Sequence, residues 1–222
     1  ELRRRGWPGL TAESPRAIEL GSGPGSAALG IWMAESARGT DPETLRSWQW
    51  NWVDRDRGLL DFGVKLQSEL GAPWGVRTFH RPIDLKKQPV FPLTMPKMDL
   101  WTSSFFLNEL GLEPAALARS MDALWKRHLA SPGIVILTEP ALRIESRKLL
   151  RFREELIKLW AERGEKDFRI LLPCMGHQAC GALTKETDWC HEEALWWRPP
   201  SMKKIDDLTG LDHRRLPFSY LV

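Results

Sequence analysis

Apolar and polar positions along the chain follow two periods. Short apolar runs, such as residues 17–20, 75–79 and 134–138, are separated by longer segments in which apolar residues recur every three or four positions. Runs of the first kind are typical of buried strands, and segments of the second kind are typical of amphipathic helices. Their alternation predicts an α/β fold, in which a doubly wound, mostly parallel, Rossmann-like sheet of seven strands carries helices on both faces.

The same pattern predicts where each element begins and ends. Strands are expected at residues 17–20, 45–53, 75–79, 98–103, 134–138 and 168–172, and a last antiparallel strand at 218–222. Helices are expected at residues 26–37, 56–70, 113–129 and 142–163. We therefore expect a core that comprises residues 1–172 and 218–222, with a cysteine-containing, basic insertion at 173–217 before the last strand.

Three glycines, Gly21, Gly23 and Gly25, stand between the first predicted strand and the first predicted helix. Glycines at alternate positions let the backbone turn tightly against a ligand, and the helix offers unpaired N–H groups to that ligand. A dinucleotide fingerprint would require glycine in place of Ser26, and a phosphate loop would require a lysine after these glycines. The remaining pattern, G-x-G-x-G after the acidic Glu19, resembles motif I of class I S-adenosylmethionine-dependent methyltransferases.

Polar residues at the ends of the following strands extend this candidate site. In a doubly wound sheet the ligand lies beyond the carboxyl ends of the strands, where the strand order reverses. Asp54 can accept hydrogen bonds from ribose hydroxyls, Arg55 can cover the base, and Asp84 can accept from an adenine amino group. Ser103 stands where a methyl acceptor would meet the donor. The candidate cofactor-binding residues are Glu19, Gly21, Ser22, Gly23, Gly25, Asp54, Arg55, Asp84 and Ser103.

Strand four offers no clear catalytic acid, base or nucleophile. Residues 99–110 contain neither the N/D-P-P-Y/F tetrad of many amino-methylating enzymes nor a cysteine that could attack a pyrimidine. Methyl transfer can proceed when the acceptor is placed against an already reactive sulfonium, so this absence excludes no methyltransferase. The catalytic residues stay unassigned, and an enzyme and a non-catalytic protein with the same pocket are both open hypotheses.

Composition and charge restrict the class of protein. The 222 residues suffice for one sizeable α/β domain, and 32 basic against 29 acidic residues give a net charge of only +3. No apolar run approaches the roughly 20 residues of a membrane span, and the first residues lack the apolar core of a signal peptide. We therefore expect a soluble intracellular protein without a membrane partner. The 12 tryptophans are expected to pack in the core rather than to stack on bases.

All three cysteines, Cys174, Cys180 and Cys190, fall within 17 residues of sequence, together with His177 and His191. Disulfides are improbable in a reducing compartment, and clustered thiols with nearby histidines suit a soft metal or an iron–sulfur cluster. The spacing does not choose between zinc and iron, because no C-x2-C pair is present. Buried cysteines that bind nothing are the open alternative.

Several segments together resemble one known family. They are Leu20-Gly-Ser-Gly-Pro-Gly25, Leu107-Asn-Glu-Leu110, Leu172-Pro-Cys174, Asp188-Trp-Cys-His191, His213-Arg-Arg215 and Phe218-Ser-Tyr-Leu221. This combination resembles the ribosomal small-subunit methyltransferase-like family, which comprises mitochondrial small-subunit assembly proteins and their bacterial relatives.

The resemblance implies a class I methyltransferase fold and association with small-subunit ribosomal RNA during assembly, in the mitochondrial matrix or the bacterial cytoplasm. It implies that the three glycines hold the methionine moiety of S-adenosylmethionine and that Asp54 holds its ribose. It also implies an iron–sulfur cluster in at least some members, with Cys174, Cys180 and Cys190 as ligands. The family's fourth cysteine lies in a downstream segment that this chain lacks, so His177 or His191 would be the fourth ligand or the site is incomplete.

Positive charge is concentrated in two segments that could contact RNA phosphates. One is residues 143–153 in the predicted long helix, for which a solvated face is the simpler interpretation. The other runs from Trp196 through Lys203 and Lys204 to Arg214 and Arg215, where tryptophans could stack on unpaired bases. We predict RNA contact at this second segment, largely because of the family resemblance.

Overall fold

The computed structural model describes residues 13–80 and 95–222, so the predicted adenine contact Asp84 lies outside the described residues. The strands of the described part form a single sheet. They are β1 (Arg16–Leu20), β2 (Gln49–Asp54), β3 (Gly75–His80), β4 (Met98–Ser104), β5 (Leu129–Pro140), β6 (Glu192–Leu195) and β7 (Arg215–Leu221).

The helices alternate with these strands, as the apolar periodicity predicts. They are α1 (Ser26–Ala37), α2 (Pro42–Arg46), α3 (Arg57–Leu70), α4 (Pro114–His128), α5 (Arg143–Glu162) and α6 (Pro200–Thr209), with a short 3-10 helix at Leu107–Leu110. Helix α3 shows why the boundaries are readable from sequence: the Asp56 carboxylate accepts a hydrogen bond from the N–H of Leu59, and Gly71 ends the helix at φ 70°.

The strand order across the sheet is β3-β2-β1-β4-β5-β7-β6. Strand β7 is antiparallel to both neighbours, and the remaining pairs are parallel. The predicted doubly wound α/β fold is therefore confirmed. Because the order reverses between β1 and β4, the carboxyl ends of β1, β2 and β4 meet at one edge of the sheet.

The prediction of a sixth strand at residues 168–172 is wrong. Strand β7 pairs directly with β5 and occupies the position in the sheet that residues 168–172 were predicted to take. Residues 171 and 172 instead bind Val222, the residue that follows β7. The N–H groups of Leu171 and Leu172 donate to the Val222 carbonyl at 2.7 and 3.2 Å. The strand beyond β7 is instead β6, from within the predicted insertion.

Two smaller expectations also differ from the structure. The first part of the predicted second strand is helix α2, because Asp41 caps it and Pro42 occupies its first turn. Strand β5 is longer than the predicted residues 134–138, and its register with β4 shifts between Met98 and Leu100.

Six of the described tryptophans are buried in the two apolar layers on either side of the sheet, as predicted, whereas Trp189 and Trp197 are exposed. Trp50, Trp52 and Trp74 lie in the layer that contains Ala28 and Leu60, and the other layer contains a second group of buried indoles. That group consists of Trp101, Trp125 and Trp160.

In the described residues, no helix is both long and apolar enough to cross a membrane.

Candidate functional site

The glycine turn, residues 21–25, is tied to the end of β2. The N–H groups of Gly21 and Ser22 both donate to the Val53 carbonyl, at 2.9 and 3.2 Å. The three glycines all adopt left-handed backbone angles, with φ of 63°, 50° and 79° for Gly21, Gly23 and Gly25. Only glycine adopts this conformation without a steric cost, which explains the alternate glycines in the sequence.

The three glycines differ in what surrounds them. A Cβ on Gly21 would come within 2.5 Å of the Phe106 ring, and one on Gly25 within 2.2 Å of the Trp52 ring. A Cβ on Gly23 would meet no heavy atom within 4 Å. Gly21 and Gly25 therefore allow the turn to pack on the protein, whereas Gly23 faces open space and is the position where a ligand can approach the backbone.

Glu19 supports the turn from within the protein. Its side chain is buried, and its two carboxylate oxygens accept hydrogen bonds from the N–H groups of Ala27 and Ala28 at 3.0 and 3.2 Å. These donors belong to the first turn of α1, which has no other cap from its own N-terminal residue. Burial raises the pKa of Glu19 to about 7, against the lowering effect of these hydrogen bonds. Glu19 positions the helix start, and direct contact with a cofactor stays a prediction.

Asp54 joins the end of β2 to the middle of the turn. Its Oδ2 accepts from the Gly23 N–H at 2.7 Å, and its Oδ1 accepts from the Asp56 N–H at 2.8 Å. Each carboxylate oxygen can accept more than one hydrogen bond, so the side chain retains acceptor capacity for ribose hydroxyls. The structure therefore brings Asp54 and the glycine turn together, as the sequence predicts.

Arg55 extends across the same edge of the sheet. Its guanidinium lies 3.6 Å from the Glu109 carboxylate in the 3-10 helix after β4, and its backbone carbonyl is 2.8 Å from the Nε2 of His80. The ion pair is exposed at both ends and contributes little stability. It places a cationic side chain between the ends of β2 and β4, where it was expected to cover a base.

Two buried hydroxyls at this edge have no hydrogen-bond partner among the described residues. They are the Oγ atoms of Ser22, in the turn, and Ser103, near the end of β4. Ser103 pairs in register with Leu20, so it lies directly beside the start of the turn. A buried hydroxyl without a partner is costly, and polar atoms of a ligand at this edge would supply the missing partners.

The segment after β4 is held by a residue that the sequence analysis missed. The Glu139 Oε1, at the end of β5, accepts from the Leu107 N–H at 2.9 Å, and its Oε2 is buried without a partner among the described residues. Burial raises the pKa of Glu139 to about 7. In the sequence, Glu139 is an isolated acidic residue at the end of a strand, as Asp54 is. This position could have identified it as a candidate.

The three cysteines lie near one another, but the predicted metal site is not formed by the described residues. The pKa of Cys190 is raised mainly by burial and further by the neighbouring thiols of Cys174 and Cys180. The rings of His177 and His191 lie against Trp160 and Trp189. Within residues 13–80 and 95–222, no three His, Cys, Asp or Glu side chains converge on a position for a metal ion.

The segment that carries the cysteines, residues 174–190, is instead held by two buried arginines of α5. The Arg147 guanidinium donates to the carbonyls of Ala182, Lys185 and Asp188 at 3.1, 2.7 and 2.6 Å. The Arg153 guanidinium donates to two further carbonyls, those of Gly176 and Gln178. The interpretation of residues 143–153 as a solvated or RNA-contacting face is therefore wrong for these two arginines, because both are buried.

The predicted RNA-contact segment near the C-terminus is only partly free of acidic partners. Arg214 pairs with Asp212, which lowers the pKa of Asp212 to about 2, and Arg215 pairs with Glu193 at 2.8 Å. The exposed side chains of Lys203 and Lys204 form no ion pair within the part of the chain that the structure describes. These two lysines are therefore the best placed to contact phosphate.

Solved structures that match this chain include two that are named S-adenosylmethionine-dependent methyltransferases. One from Aquifex aeolicus is 15% identical with a TM-score of 0.40, over 64% of this chain and 63% of that protein. One from Clostridium acetobutylicum ATCC 824 is 14% identical with a TM-score of 0.40, over 57% and 43%. PKMT2 from Rickettsia typhi, in complex with AdoHcy, is 15% identical with a TM-score of 0.44, over 75% and 29%. The chain thus spans less than two thirds of each of these proteins.

Curated protein sequences show no significant match to this chain. A family profile does match: residues 66–221, more than two thirds of the chain, fit the family described as mitochondrial small ribosomal subunit Rsm22. The matched range includes β4 and the segment after it, helix α5, the cysteine segment and β7. The chain belongs to this small ribosomal subunit family.

Proposed function

We propose that this protein binds S-adenosylmethionine at the carboxyl edge of its sheet and acts on or with small-subunit ribosomal RNA during ribosome assembly. The family match supports the link to the small subunit, and the α/β fold supports the cofactor. The observation that carries the cofactor proposal is the glycine turn. Gly23 is open to a ligand while its own N–H is held by Asp54 at the end of β2.

The residues present fit this cofactor. The turn would lie against the methionine moiety, Asp54 would accept from the ribose hydroxyls, and Arg55 would cover the base. The unpartnered hydroxyls of Ser22 and Ser103 would gain partners. When bound, the cofactor supplies an activated methyl group on a sulfonium, and the protein has only to place an acceptor in line with it.

A non-catalytic assembly factor is the second candidate, and one observation favours it. Asp99, the only acidic residue of β4, lies at the start of the strand, away from the cofactor edge, and its carboxylate accepts from the Arg16 N–H at 2.8 Å. Under this hypothesis the pocket binds S-adenosylmethionine and the protein contacts ribosomal RNA, but no methyl group is transferred.

Calorimetry with S-adenosylmethionine tests the shared part of both candidates. We expect the unmodified protein to bind and Asp54→Ala to bind at least about tenfold more weakly, because hydrogen bonds to a charged group are lost. Asp61→Ala is the matched control, since Asp61 is an exposed carboxylate on α3 whose partner is Arg57. Equal affinity in both variants, or no binding by the unmodified protein, would remove the cofactor proposal.

Transfer of a labelled methyl group from the cofactor to small-subunit ribosomal RNA separates the two candidates. Incorporation into RNA that Asp54→Ala reduces and Asp61→Ala preserves supports the enzyme. Cofactor binding without incorporation, on naked RNA and on assembling subunits, supports the assembly factor.

Contact with RNA is proposed through Lys203 and Lys204. Since each phosphate contact releases counterions, Lys203→Ala with Lys204→Ala should reduce the dependence of RNA affinity on salt. Arg214→Ala is the comparison, because Arg214 is already paired with Asp212 and should change the salt dependence less. An unchanged slope in the double lysine variant would contradict this contact.

A metal or iron–sulfur site at Cys174, Cys180 and Cys190 stays a prediction, and no step of the proposed function is derived through it. Anaerobic purification followed by visible absorbance and analysis of iron, zinc and sulfide tests it. Stoichiometric metal that Cys180→Ser removes would support the site. A colourless protein without metal would leave three reduced thiols in a segment held by arginines.

A further inference from the structure

Phe105, the second residue after Ser103, combines two unfavourable features. Its φ is 56°, and it is the only residue other than glycine with a positive φ in residues 13–80 and 95–222. A bulky side chain in this conformation strains the backbone. The ring is also 52% exposed, so much of its apolar surface stays in water. An exposed ring in a strained conformation requires an explanation beyond packing.

The residues on both sides of Phe105 are fixed, and together they impose its conformation. The Phe105 N–H donates to the Thr138 carbonyl at 2.8 Å, and the hydroxyls of Ser104 and Thr138 are hydrogen bonded at 2.9 Å. On the other side, the Phe106 ring packs against Gly21 and the core. The buried Glu139 carboxyl then holds the Leu107 N–H. The chain therefore directs one phenyl ring inward and the neighbouring ring outward.

The outward ring lies at the edge of the sheet that carries the proposed cofactor site. Its strand, β4, is adjacent to β1, and Ser103 pairs with Leu20 immediately before the glycine turn. The Arg55–Glu109 ion pair connects the 3-10 helix that follows Phe105 to the end of β2. Phe105 is therefore an exposed aromatic residue directly after the end of the strand that pairs with β1.

We propose that Phe105 stacks on an unpaired nucleobase of small-subunit ribosomal RNA and holds it beside the cofactor edge. RNA-binding proteins recognise unpaired bases by stacking them on aromatic side chains, and such stacking accepts any base because every base has a π-face. The strained backbone conformation at Phe105 holds the ring away from the core, so the ring stays accessible to a base. This proposal rests on the proposed function and names the substrate class of the same edge.

The decisive variant is Phe105→Asn. Asparagine tolerates left-handed angles better than phenylalanine, so this change removes the ring and relieves the backbone. We expect an unchanged or higher melting temperature. We also expect about 5- to 100-fold weaker binding to an unstructured RNA oligonucleotide of mixed sequence that carries one 2-aminopurine. Quenching of 2-aminopurine fluorescence, which reports stacking, should be lost as well, whereas Phe105→Trp should retain both binding and quenching.

Phe62→Asn is the matched control, because Phe62 is another phenyl ring with 56% exposure, on helix α3. Its RNA affinity should equal that of the unmodified protein. Equal RNA affinities in the two asparagine variants, or a clear fall in the melting temperature of Phe105→Asn, would overturn the stacking proposal.

Calorimetry with S-adenosylmethionine on the same proteins separates this proposal from the one on which it rests. If Phe105→Asn binds the cofactor normally but RNA weakly, both are supported. If no protein binds the cofactor while quenching still depends on Phe105, the cofactor proposal fails and the stacking proposal stands. If the cofactor binds and quenching does not depend on Phe105, the stacking proposal alone fails.

Discussion

The glycine turn and the cysteine segment are both loops rich in small or reactive residues, yet they are held in opposite ways. The turn is held through its N–H groups, which donate to the end of the adjacent strand: those of Gly21 and Ser22 to the Val53 carbonyl, and that of Gly23 to the Asp54 carboxylate. The cysteine segment has local backbone hydrogen bonds as well, but it is held to the protein through its carbonyl oxygens, which accept from Arg147 and Arg153 of helix α5.

This difference separates two kinds of sequence motif. In the turn, the residues that form the pattern also determine the conformation, so the pattern predicts the structure. In the segment, the cysteines that form the pattern do not determine the conformation; the arginines do. The proposal of a ligand at the turn therefore rests on the backbone itself, whereas the positions of the cysteines depend on contacts made by other residues of the segment.

The largest expected effect is on the cysteine segment. Arg147→Met retains the aliphatic stem but removes the donors to three carbonyl oxygens, which should lower the free energy of unfolding by about 4 kcal/mol. Hydrogen exchange of residues 176–190 should increase strongly, while the amides of the glycine turn remain protected. Arg151→Met is the matched control, because Arg151 is exposed on the same helix. Unchanged exchange in Arg147→Met would show that the segment is held by other means.

A substitution in the glycine turn is expected to affect the turn and not the cysteine segment. Gly25→Ala places a methyl group against the Trp52 ring at a φ of 79°, so we expect a loss of about 3 kcal/mol in the free energy of unfolding. Cofactor binding measured by calorimetry should be lost, and hydrogen exchange of residues 176–190 should not change. Simultaneous loosening of both regions would contradict their independence.

These two regions also show how far the sequence predicts the molecule. The doubly wound α/β fold and the bounds of helices such as α3 follow from local patterns, and the structure confirms them. The hydrogen bond between Asp54 and Gly23 agrees with the expectation that both lie at the carboxyl edge of the sheet. The burial of Arg147 and Arg153 does not follow, because charged residues at helical spacing have the same pattern whether they face water or a loop. Arg147 and Arg153 are buried because their guanidinium groups bind carbonyl oxygens of the cysteine segment, and the helix sequence does not reveal these partners.

The misplaced sixth strand has a similar cause. Residues 168–172 have the apolar composition of a strand, but β7 pairs with β5 and leaves them only the chain end as a partner. Phe105 was also missed, since backbone strain has no signature in the composition of a single phenylalanine. Two segments compete for one position only in the assembled sheet, and the backbone strain at Phe105 likewise arises only there. The sequence of one segment alone therefore reveals neither.

A third effect, of intermediate size, concerns the acids that support the cofactor edge. The pKa of Glu139 is raised by burial from 4.5 to about 7, so between these values the folded protein retains a proton that the unfolded chain has released. Stability therefore falls as pH rises, by about 2 kcal/mol between pH 5 and pH 7 for this group. Glu19 has the same direction of shift and should contribute a similar dependence.

Denaturation of Glu139→Gln across this pH range tests the assignment. Glutamine can keep the acceptor for the Leu107 N–H and cannot ionise, so the variant should lose the share of the pH dependence that belongs to Glu139. A pH profile identical to that of the unmodified protein would show that the Glu139 carboxyl is ionised in the folded state at pH 5.

The smallest expected effect distinguishes the glycines of the turn from the glycine that follows them. Gly30 lies on the exposed side of α1, has no positive φ, and a Cβ there would meet no heavy atom within 4 Å. Gly30→Ala should therefore raise the free energy of unfolding by about 0.5–1 kcal/mol, since alanine is the better helix former. Cofactor affinity should be unchanged, in contrast to Gly25→Ala. A loss of cofactor binding in Gly30→Ala would mean that the ligand site extends along α1 beyond the turn.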